Sequence, residues 1–329
     1  MDYPLRLRPL YKARVWGGDR LLDADLPAPR GPVGERWEVA DHGADVSVVA
    51  NGPLAGRTLR ELLCADPAGL VGAAPEPARP DRFPLLLKLI DAREVLSVQV
   101  HPEDAYARAH AQDLGKTEAW YVLAAAPGAV IYHGLRRGMD RASFARAIRE
   151  GNVEACLRTV PARPDTVVYV PAGTVHALGA GVCVAEIQEN SDLTYRLYDW
   201  GRTGLDGKPR PLHADDGLAV ARFGDEPDPT PPPRPVGAHG CRRERLVSCD
   251  KFVVDRISRL GPEPATLSTR GRTFHILTAL QGPVTVRTAG GAETLGAWHT
   301  ALVPAACATY TLAAESSGRV LLFSGPDRS

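Results

Sequence analysis

The C-terminal third of the chain alternates apolar and polar residues over short stretches that glycine or proline interrupts. Such stretches, rich in β-branched and aromatic residues, are typical of strands. Closely spaced short strands with this punctuation favour a sandwich or a barrel. The predicted strands cover residues 252–260, 273–280, 284–288, 298–303, 308–312 and 319–323.

The N-terminal two thirds mix strand and helix patterns. Helical spacing of apolar residues appears at 58–64, 103–112 and 140–150. In the last of these, Gly151 suits a C-cap. Predicted strands cover residues 35–40, 46–50, 85–90, 95–101, 118–124, 130–132, 166–170 and 182–188. This order predicts a β core that carries helical insertions.

A proline-rich segment, residues 224–235, is the clearest boundary in the chain. Repeated proline fixes φ and removes backbone donors, so we expect an extended linker rather than a helix or a central strand. We therefore predict an N-terminal domain at 1–223, a linker at 224–237 and a C-terminal β domain at 238–329.

Charge and hydropathy restrict the classes of partner. The 329 residues contain 39 Lys plus Arg and 39 Asp plus Glu, so the net charge is zero and nucleic-acid binding has little support. The longest apolar run, residues 84–90, is broken by Lys88 and is far shorter than the roughly 20 residues of a membrane span. The start of the sequence lacks an apolar signal-peptide core. We expect a cytoplasmic protein without membrane or nucleic-acid partners.

Three short segments carry the residue types of a metal site. Gln99 and His101 are two residues apart in a predicted strand and so share a face. Glu118 lies in a second apolar strand, and His176 follows a Pro-x-Gly turn. Two imidazoles and a carboxylate suit zinc with an open position. They also suit non-haem Fe(II), so the ligand types alone leave the chemistry open.

The ordered series of motifs resembles the type I mannose-6-phosphate isomerases (phosphomannose isomerases) of the cupin superfamily, in their short bacterial form. The resemblance extends to about residue 215. Its motifs are GERWE at 34–38, LKLIDA at 87–92, SVQVHP at 97–102, GKTEAW at 115–120, PAGTVHA at 171–177 and EIQENSDLTYRLYDW at 186–200.

The resemblance implies a fold and an activity. The fold is mainly β, with two cupin-type jelly-roll barrels, the N-terminal one bearing the helical insertions. The activity is interconversion of mannose 6-phosphate and fructose 6-phosphate, with one zinc ion per chain. The implied zinc ligands are His101, Glu118 and His176, with Gln99 as a possible fourth. Arg196 matches the catalytic arginine of the family.

The reaction makes further demands on the residues. A cis-enediol intermediate needs cations beside its oxygens, and the proton carrier needs a group of suitable pKa near the substrate carbons. Glu186, Asp192 and Lys116 are candidates for this carrier. Since no glycine-rich phosphate loop is present, side-chain cations must hold the phosphate. Lys88, Lys116 and Arg196 can supply that charge, with Asp192 as a further substrate contact.

Two other functions compete with the isomerase. A cupin that binds a sugar phosphate without turnover would keep the barrel without needing Arg196. An Fe(II) cupin oxygenase would use the same ligand trio. For the isomerase we expect a small-molecule sugar phosphate as the partner, and a monomer or weak homodimer.

Overall fold

The computed structural model describes residues 1–23, 29–72, 81–225 and 227–327. The chain forms two compact units. The first unit, which we call the terminal unit, consists of Met1–Leu10, Glu38–Leu86 and Pro231–Ser329. The central unit consists of Tyr11–Trp37 and Leu87–Thr230.

The central unit is built around two antiparallel sheets. The six-stranded sheet has the order Val167–Val170, Glu118–Ala125, Val182–Glu189, Leu85–Ala92, Leu10–Gly18 and Val33–Val39. The five-stranded sheet has the order Leu157–Pro161, Val130–Leu135, His176–Leu178, Val98–Val100 and Tyr195–Tyr198.

Apolar side chains on facing surfaces hold these sheets together. Ile90 and Trp120 from the six-stranded sheet share one buried cluster with Ile131 and Leu178 from the five-stranded sheet. The opposite face of the five-stranded sheet packs through Val98 and Val100 against a cluster that includes Phe144 and Ala147 of a helix. The five-stranded sheet therefore lies between the six-stranded sheet and that helix.

The helices are short, and some of them begin at side-chain caps. Thr58 and Glu61 form a capping box, and Asp140 accepts from the Ser143 amide. The predicted C-cap Gly151 is confirmed, with φ +71°. The α-helices are Leu59–Ala65, Pro67–Val71, Asp104–His110, Arg141–Glu150 and Ala214–Val220, and the 3-10 helices are Gly52–Leu54, Glu154–Cys156 and Ala305–Cys307.

The terminal unit is also mainly β. Its eight-stranded sheet has the order Arg234–Val236, Arg242–Ser248, Val253–Leu260, Gly318–Ser324, His275–Gln281, Thr300–Val303, Leu5–Arg8 and Val48–Val49. Its four-stranded sheet has the order Ala265–Ser268, Thr309–Ala314, Val284–Thr288 and Gly291–Leu295. A two-stranded ribbon pairs Asp41–His42 with Asp45–Val46.

The prediction of a mainly β protein is confirmed. The predicted linker contains one short strand, Arg234–Val236, which lies at the edge of its sheet as a proline requires. Residue 226 of that linker lies outside the described residues. Within the ranges that the structure describes, no helix has the length and apolar character needed to cross a bilayer.

Candidate metal centre and adjoining cavity

The five-stranded sheet directs three of the predicted site residues to its inner face. Val98 and Val100 pack on the helix side, so the alternation of a strand turns Gln99 inward. His176 and Arg196 both pair with Gln99 in the antiparallel register. Three polar side chains from separate parts of the sequence thereby become neighbours.

The six-stranded sheet supplies the facing set. Ile90 and Trp120 belong to the core between the sheets, and residues two positions away share their face. Lys88 and Glu118 therefore point toward that core. Glu186 joins them, because it pairs with Trp120 and accepts a hydrogen bond from the indole Nε1 at 2.7 Å.

His101, Glu118 and His176 converge at one point. A ligand atom from each lies within 4.8 Å of the others, and all three residues are buried. The Nε2 atom of His176 is 3.3 Å from Oε1 of Glu118, and the Nε2 atom of His101 is 3.7 Å from Oε2. Two nitrogens and a carboxylate at one point are a donor set that fits a divalent transition metal.

Backbone carbonyls fix the orientation of both imidazoles. His101 Nδ1 donates to the Leu193 carbonyl at 2.9 Å, and His176 Nδ1 donates to the Thr174 carbonyl at 2.8 Å. Because a carbonyl can only accept, the proton of each neutral ring stands on Nδ1. Both Nε2 lone pairs are then left for the ligand point, as in protein metal sites.

Burial and charge keep these imidazoles neutral. Burial is the main cause, and the Lys116 ammonium the second, that lowers the pKa of His176 to about 4. The same two causes hold the pKa of His101 well below its ordinary value. Neutral imidazole is the form that binds a metal.

Lys116 contacts two of the candidate metal-ligand residues, His101 and Glu118. Its Nζ donates to His101 Nε2 at 3.0 Å and forms a very short contact with Oε2 of Glu118. Among the described residues, Oε1 of Glu118 has no hydrogen-bond partner. An ammonium thus neutralises one carboxylate oxygen, while the other is buried and open to a cation.

A cavity of about 470 Å³ opens beside the ligand trio. Lys116 and Gln99 line it and also contact the trio, since the Gln99 amide lies 3.3 Å from His176 Nε2. Among the described residues, five cationic side chains line it: Arg14, Lys88, Lys116, Arg196 and Arg210. This size and charge suit a small anionic ligand.

Comparison with known proteins identifies the family. The phosphomannose isomerase type I catalytic domain matches residues 5–120. The probable mannose-6-phosphate isomerase GmuF of Bacillus subtilis (strain 168) is 42% identical over 228 residues, which cover 67% of this chain and 69% of that relative. The chain belongs to the mannose-6-phosphate isomerase family.

Solved structures of mannose-6-phosphate isomerases share the fold. The Bacillus subtilis enzyme superposes with a TM-score of 0.87 at 31% identity, covering 98% of this chain and 99% of that one. A zinc-bound mannose 6-phosphate isomerase superposes with a TM-score of 0.75 at 16% identity, covering 98% and 100% of the two chains. The likeness therefore includes both units and not only the matched catalytic segment.

Lys88 lies among carboxylates in the isomerase cavity. Its Nζ is 3.1 Å from Asp192 and 3.9 Å from Glu186, and it lies 4.7 Å from the ring centroid of Trp37. Burial alone would lower its pKa, but Asp192, Glu35 and Glu186 raise it above its ordinary value. The positive charge of Lys88, which lies in an otherwise apolar strand, is thus paired with carboxylates.

The two carboxylates beside Lys88 differ in acidity. Burial disfavours ionised Asp192, but Lys88 and Lys116 lower its pKa to about 2. Burial, followed by the negative charge of Glu118, raises the pKa of Glu186. Asp192 is therefore a fixed anion near neutral pH, whereas Glu186 holds its proton to a higher pH than an ordinary carboxyl.

Arg196 differs from the other cations of the cavity. Its Nη1 donates to the Pro211 carbonyl at 2.9 Å, and its buried Nε has no hydrogen-bond partner within the described ranges. Burial and then Arg210 lower its pKa.

All nine predicted site residues are brought together, six in the cavity wall and three as the ligand trio.

The sequence predictions did not include Arg14, Glu35 and Asp199. Glu35 accepts from Arg14 Nε at 2.9 Å and from the Trp37 indole at 2.7 Å. Asp199 accepts a hydrogen bond at 2.7 Å from Nε of Arg210, which lines the cavity. The GERWE motif was a signal for Glu35, because Glu35 and Trp37 share a strand face. No comparable pattern marks Arg14, and Asp199 belongs to the motif at 186–200, where the sequence assigns it no role.

Proposed function

We propose that this protein is a zinc-dependent aldose–ketose isomerase that interconverts D-mannose 6-phosphate and D-fructose 6-phosphate through a cis-enediol intermediate. One observation carries the proposal. The trio of His101, Glu118 and His176 adjoins a cavity that contains Arg196, a cation with no hydrogen bond or ion pair to a carboxylate in the described part of the chain. The phosphate dianion of a phosphorylated sugar can pair with this cation.

His101, Glu118 and His176 would hold the zinc ion, with Gln99 as a fourth ligand or as a group that orients His176. When bound, zinc supplies a Lewis acid that stabilises negative charge on the sugar oxygens. The ligand set is preorganised, because the Leu193 and Thr174 carbonyls already hold both rings.

We propose Glu186 as the proton carrier between C1 and C2. It lines the cavity, and the Trp120 indole fixes its carboxyl. Its raised pKa supports the choice, because a carrier works best when its pKa approaches the working pH. Lys116, which also lines the cavity, is the alternative carrier and can donate to a sugar oxygen.

Asp192 and Lys88 would bind the sugar hydroxyls. An ionised carboxylate can only accept hydrogen bonds and an ammonium can only donate them, so the pair recognises a hydroxyl in both roles. Their mutual contact at 3.1 Å fixes the position of both groups before the substrate arrives.

Arg196 would anchor the phosphate and stabilise the charge of the enediol. Guanidinium binds phosphate through two parallel hydrogen bonds and remains charged at every working pH. Lys116 adds a second positive charge at the inner end of the cavity.

The finer architecture remains our proposal. We propose two cupin-type barrels, with chemistry confined to residues 1–223, a linker at 224–237 and no metal site in 238–329. The compact units are built from separated stretches, since Met1–Leu10 and Glu38–Leu86 join the C-terminal part. We also propose a cytoplasmic monomer or weak homodimer.

A coupled assay tests the function directly. Zinc-loaded protein should form fructose 6-phosphate from mannose 6-phosphate, lose this activity with a chelator and regain it with added zinc. In heavy water the fructose 6-phosphate should carry deuterium on C1, because the carrier exchanges the proton that it takes from C2 with solvent before it protonates C1. The proposal fails if zinc-loaded protein gives no fructose 6-phosphate, and iron-dependent oxygen uptake would favour the oxygenase.

A further inference from the structure

Residues 199–213, which we call the cap, follow the strand that carries Arg196. Within the cap, Thr203 and Pro209 form an antiparallel bridge. The Gly204 amide donates to the Lys208 carbonyl at 2.7 Å, and the Gly207 amide donates to the Gly204 carbonyl at 3.0 Å. The tip is therefore a closed hairpin with internal hydrogen bonds.

A buried carboxylate fastens the base of this hairpin. Asp199, only 6% exposed, accepts from Arg202 Nε at 3.0 Å and from Arg210 Nε at 2.7 Å. The two arginines stand on opposite sides of the hairpin, so one carboxylate joins both of its ends. Arg202 Nη1 also makes a very short hydrogen bond to the Val95 carbonyl.

The end of the cap runs beside Arg196. The Pro211 carbonyl accepts from the Arg196 guanidinium at 2.9 Å. The His213 amide donates to the Arg196 carbonyl at 2.7 Å, and the Arg196 amide donates to His213 Nδ1 at 3.2 Å. One hydrogen bond therefore links the cap to the Arg196 guanidinium, and two more link it to the Arg196 backbone.

The cap also places an apolar side chain in the cavity wall. In the described ranges three large hydrophobic residues are exposed: Leu22, Leu205 and Leu212. Leu205 is 62% exposed and lines the cavity, whereas Leu212, 51% exposed, is not among the described residues that line it. A ligand that fills the cavity would cover Leu205 and remove its apolar surface from water.

We propose that the cap is a preformed cover of the sugar-phosphate cavity, in which Leu205 packs on the bound substrate and Asp199 is the positioning residue. The inference rests on the proposed function for the identity of the ligand. Asp199 has a second effect, because it engages Arg210 and so leaves Arg196 as the cation that meets the phosphate.

Two leucine substitutions test the contact. Leu205→Ala should raise KM for mannose 6-phosphate roughly three- to tenfold, as expected for methylenes lost from a binding surface, with kcat within about twofold. Leu212→Ala, matched in residue type and exposure, should leave both constants unchanged. Equal kinetics for Leu205→Ala and wild type would overturn the contact.

Hydrogen exchange tests the positioning role. Asp199→Asn keeps the side-chain shape but loses the charge, so amide exchange in residues 200–213 should accelerate roughly tenfold or more. Exchange in the helix Arg141–Glu150 should stay at the wild-type rate. Acceleration throughout the unit, or none in the cap, would contradict a local positioning role.

A binding measurement separates this inference from the isomerase proposal. Calorimetric titration of zinc-loaded protein with fructose 6-phosphate reports the contact without turnover. Wild type could bind this sugar phosphate without isomerising it, while Leu205→Ala weakens the binding roughly three- to tenfold. That result would refute the isomerase proposal and support the proposal that the cap covers the ligand. If Leu205→Ala binds the sugar phosphate as wild type does and isomerises it normally, the proposed role of the cap is refuted and the isomerase proposal is not.

Discussion

Two buried lysines of the central unit allow the ligand trio to be tested through protein stability. Lys116 contacts His101 and Glu118, which are candidate metal ligands. Lys88 is equally buried but pairs with Asp192 outside the trio. Methionine fills nearly the same volume as lysine without its charge, so Lys116→Met and Lys88→Met form a matched pair.

The structure predicts that zinc offsets the loss of stability in Lys116→Met but not in Lys88→Met. Removal of one partner from a buried ion pair destabilises by about 3–5 kcal/mol, because the remaining charge is left uncompensated. Metal-free Lys116→Met should therefore lose about 3 kcal/mol as Glu118, which is fully buried, loses its ammonium. Zinc at the trio restores a cation to that carboxylate, so zinc should stabilise the variant more than wild type by about 2–3 kcal/mol.

Denaturant unfolding of both variants with and without zinc measures this difference. Lys88→Met should lose the same stability in the metal-free and the zinc-loaded protein, because its partners do not bind the metal. If metal-free Lys116→Met were as stable as wild type, or if zinc stabilised both lysine variants equally, Lys116 would not be the counter-ion of the metal-free site.

Three further outcomes are expected. His176→Ala should lose zinc in metal analysis of the purified protein, whereas His133→Gln, at a buried histidine of the same sheet, should retain it. Arg196→Ala should lower kcat by about a hundredfold or more in the coupled assay, and near-normal turnover would remove it from the mechanism. Burial lowers the pKa of His275 to about 3, so the unfolded chain takes up this proton first as the pH falls below its ordinary pKa of about 6.5. Stability should therefore drop by about 2 kcal/mol more in wild type than in His275→Asn between pH 6.5 and 5, and parallel unfolding profiles would contradict this.

The sequence predicted strands best where most of the side chains are apolar and buried. The strands Glu118–Ala125 and Val182–Glu189 begin within one residue of their predicted positions, because their faces pack into a continuous core. The strand Leu10–Gly18 was not predicted. Arg14 lines the cavity and Lys12 lies over the Trp37 ring, so charged residues interrupt the alternation of apolar residues that predicts a strand.

Pairing between distant strands could not be read from local pattern. Leu5 pairs with Leu302, so the first strand belongs to the sheet of the C-terminal part. A short stretch of alternating apolar and polar residues does not indicate which strand it pairs with. The register between two strands is set by the packing of the whole sheet. The domain limits drawn at the proline-rich segment therefore remain a prediction about where the chemistry lies.

Charge pairing is the part of the site that only the tertiary structure could supply. The sequence offers several cations near the motifs, but their partners come from separate strands and loops. Four of the five cations that line the cavity have a carboxylate within ion-pair distance: Arg14 with Glu35, Lys88 with Asp192, Lys116 with Glu118 and Arg210 with Asp199. For Arg196, the described residues supply a carbonyl and no such carboxylate. A partly buried guanidinium without a carboxylate within ion-pair distance carries a desolvation penalty that an unphosphorylated hexose cannot relieve, whereas a phosphate dianion relieves it on binding. We therefore expect the cavity to prefer a phosphorylated sugar, because the fold leaves Arg196 without an ion-paired carboxylate among the described residues.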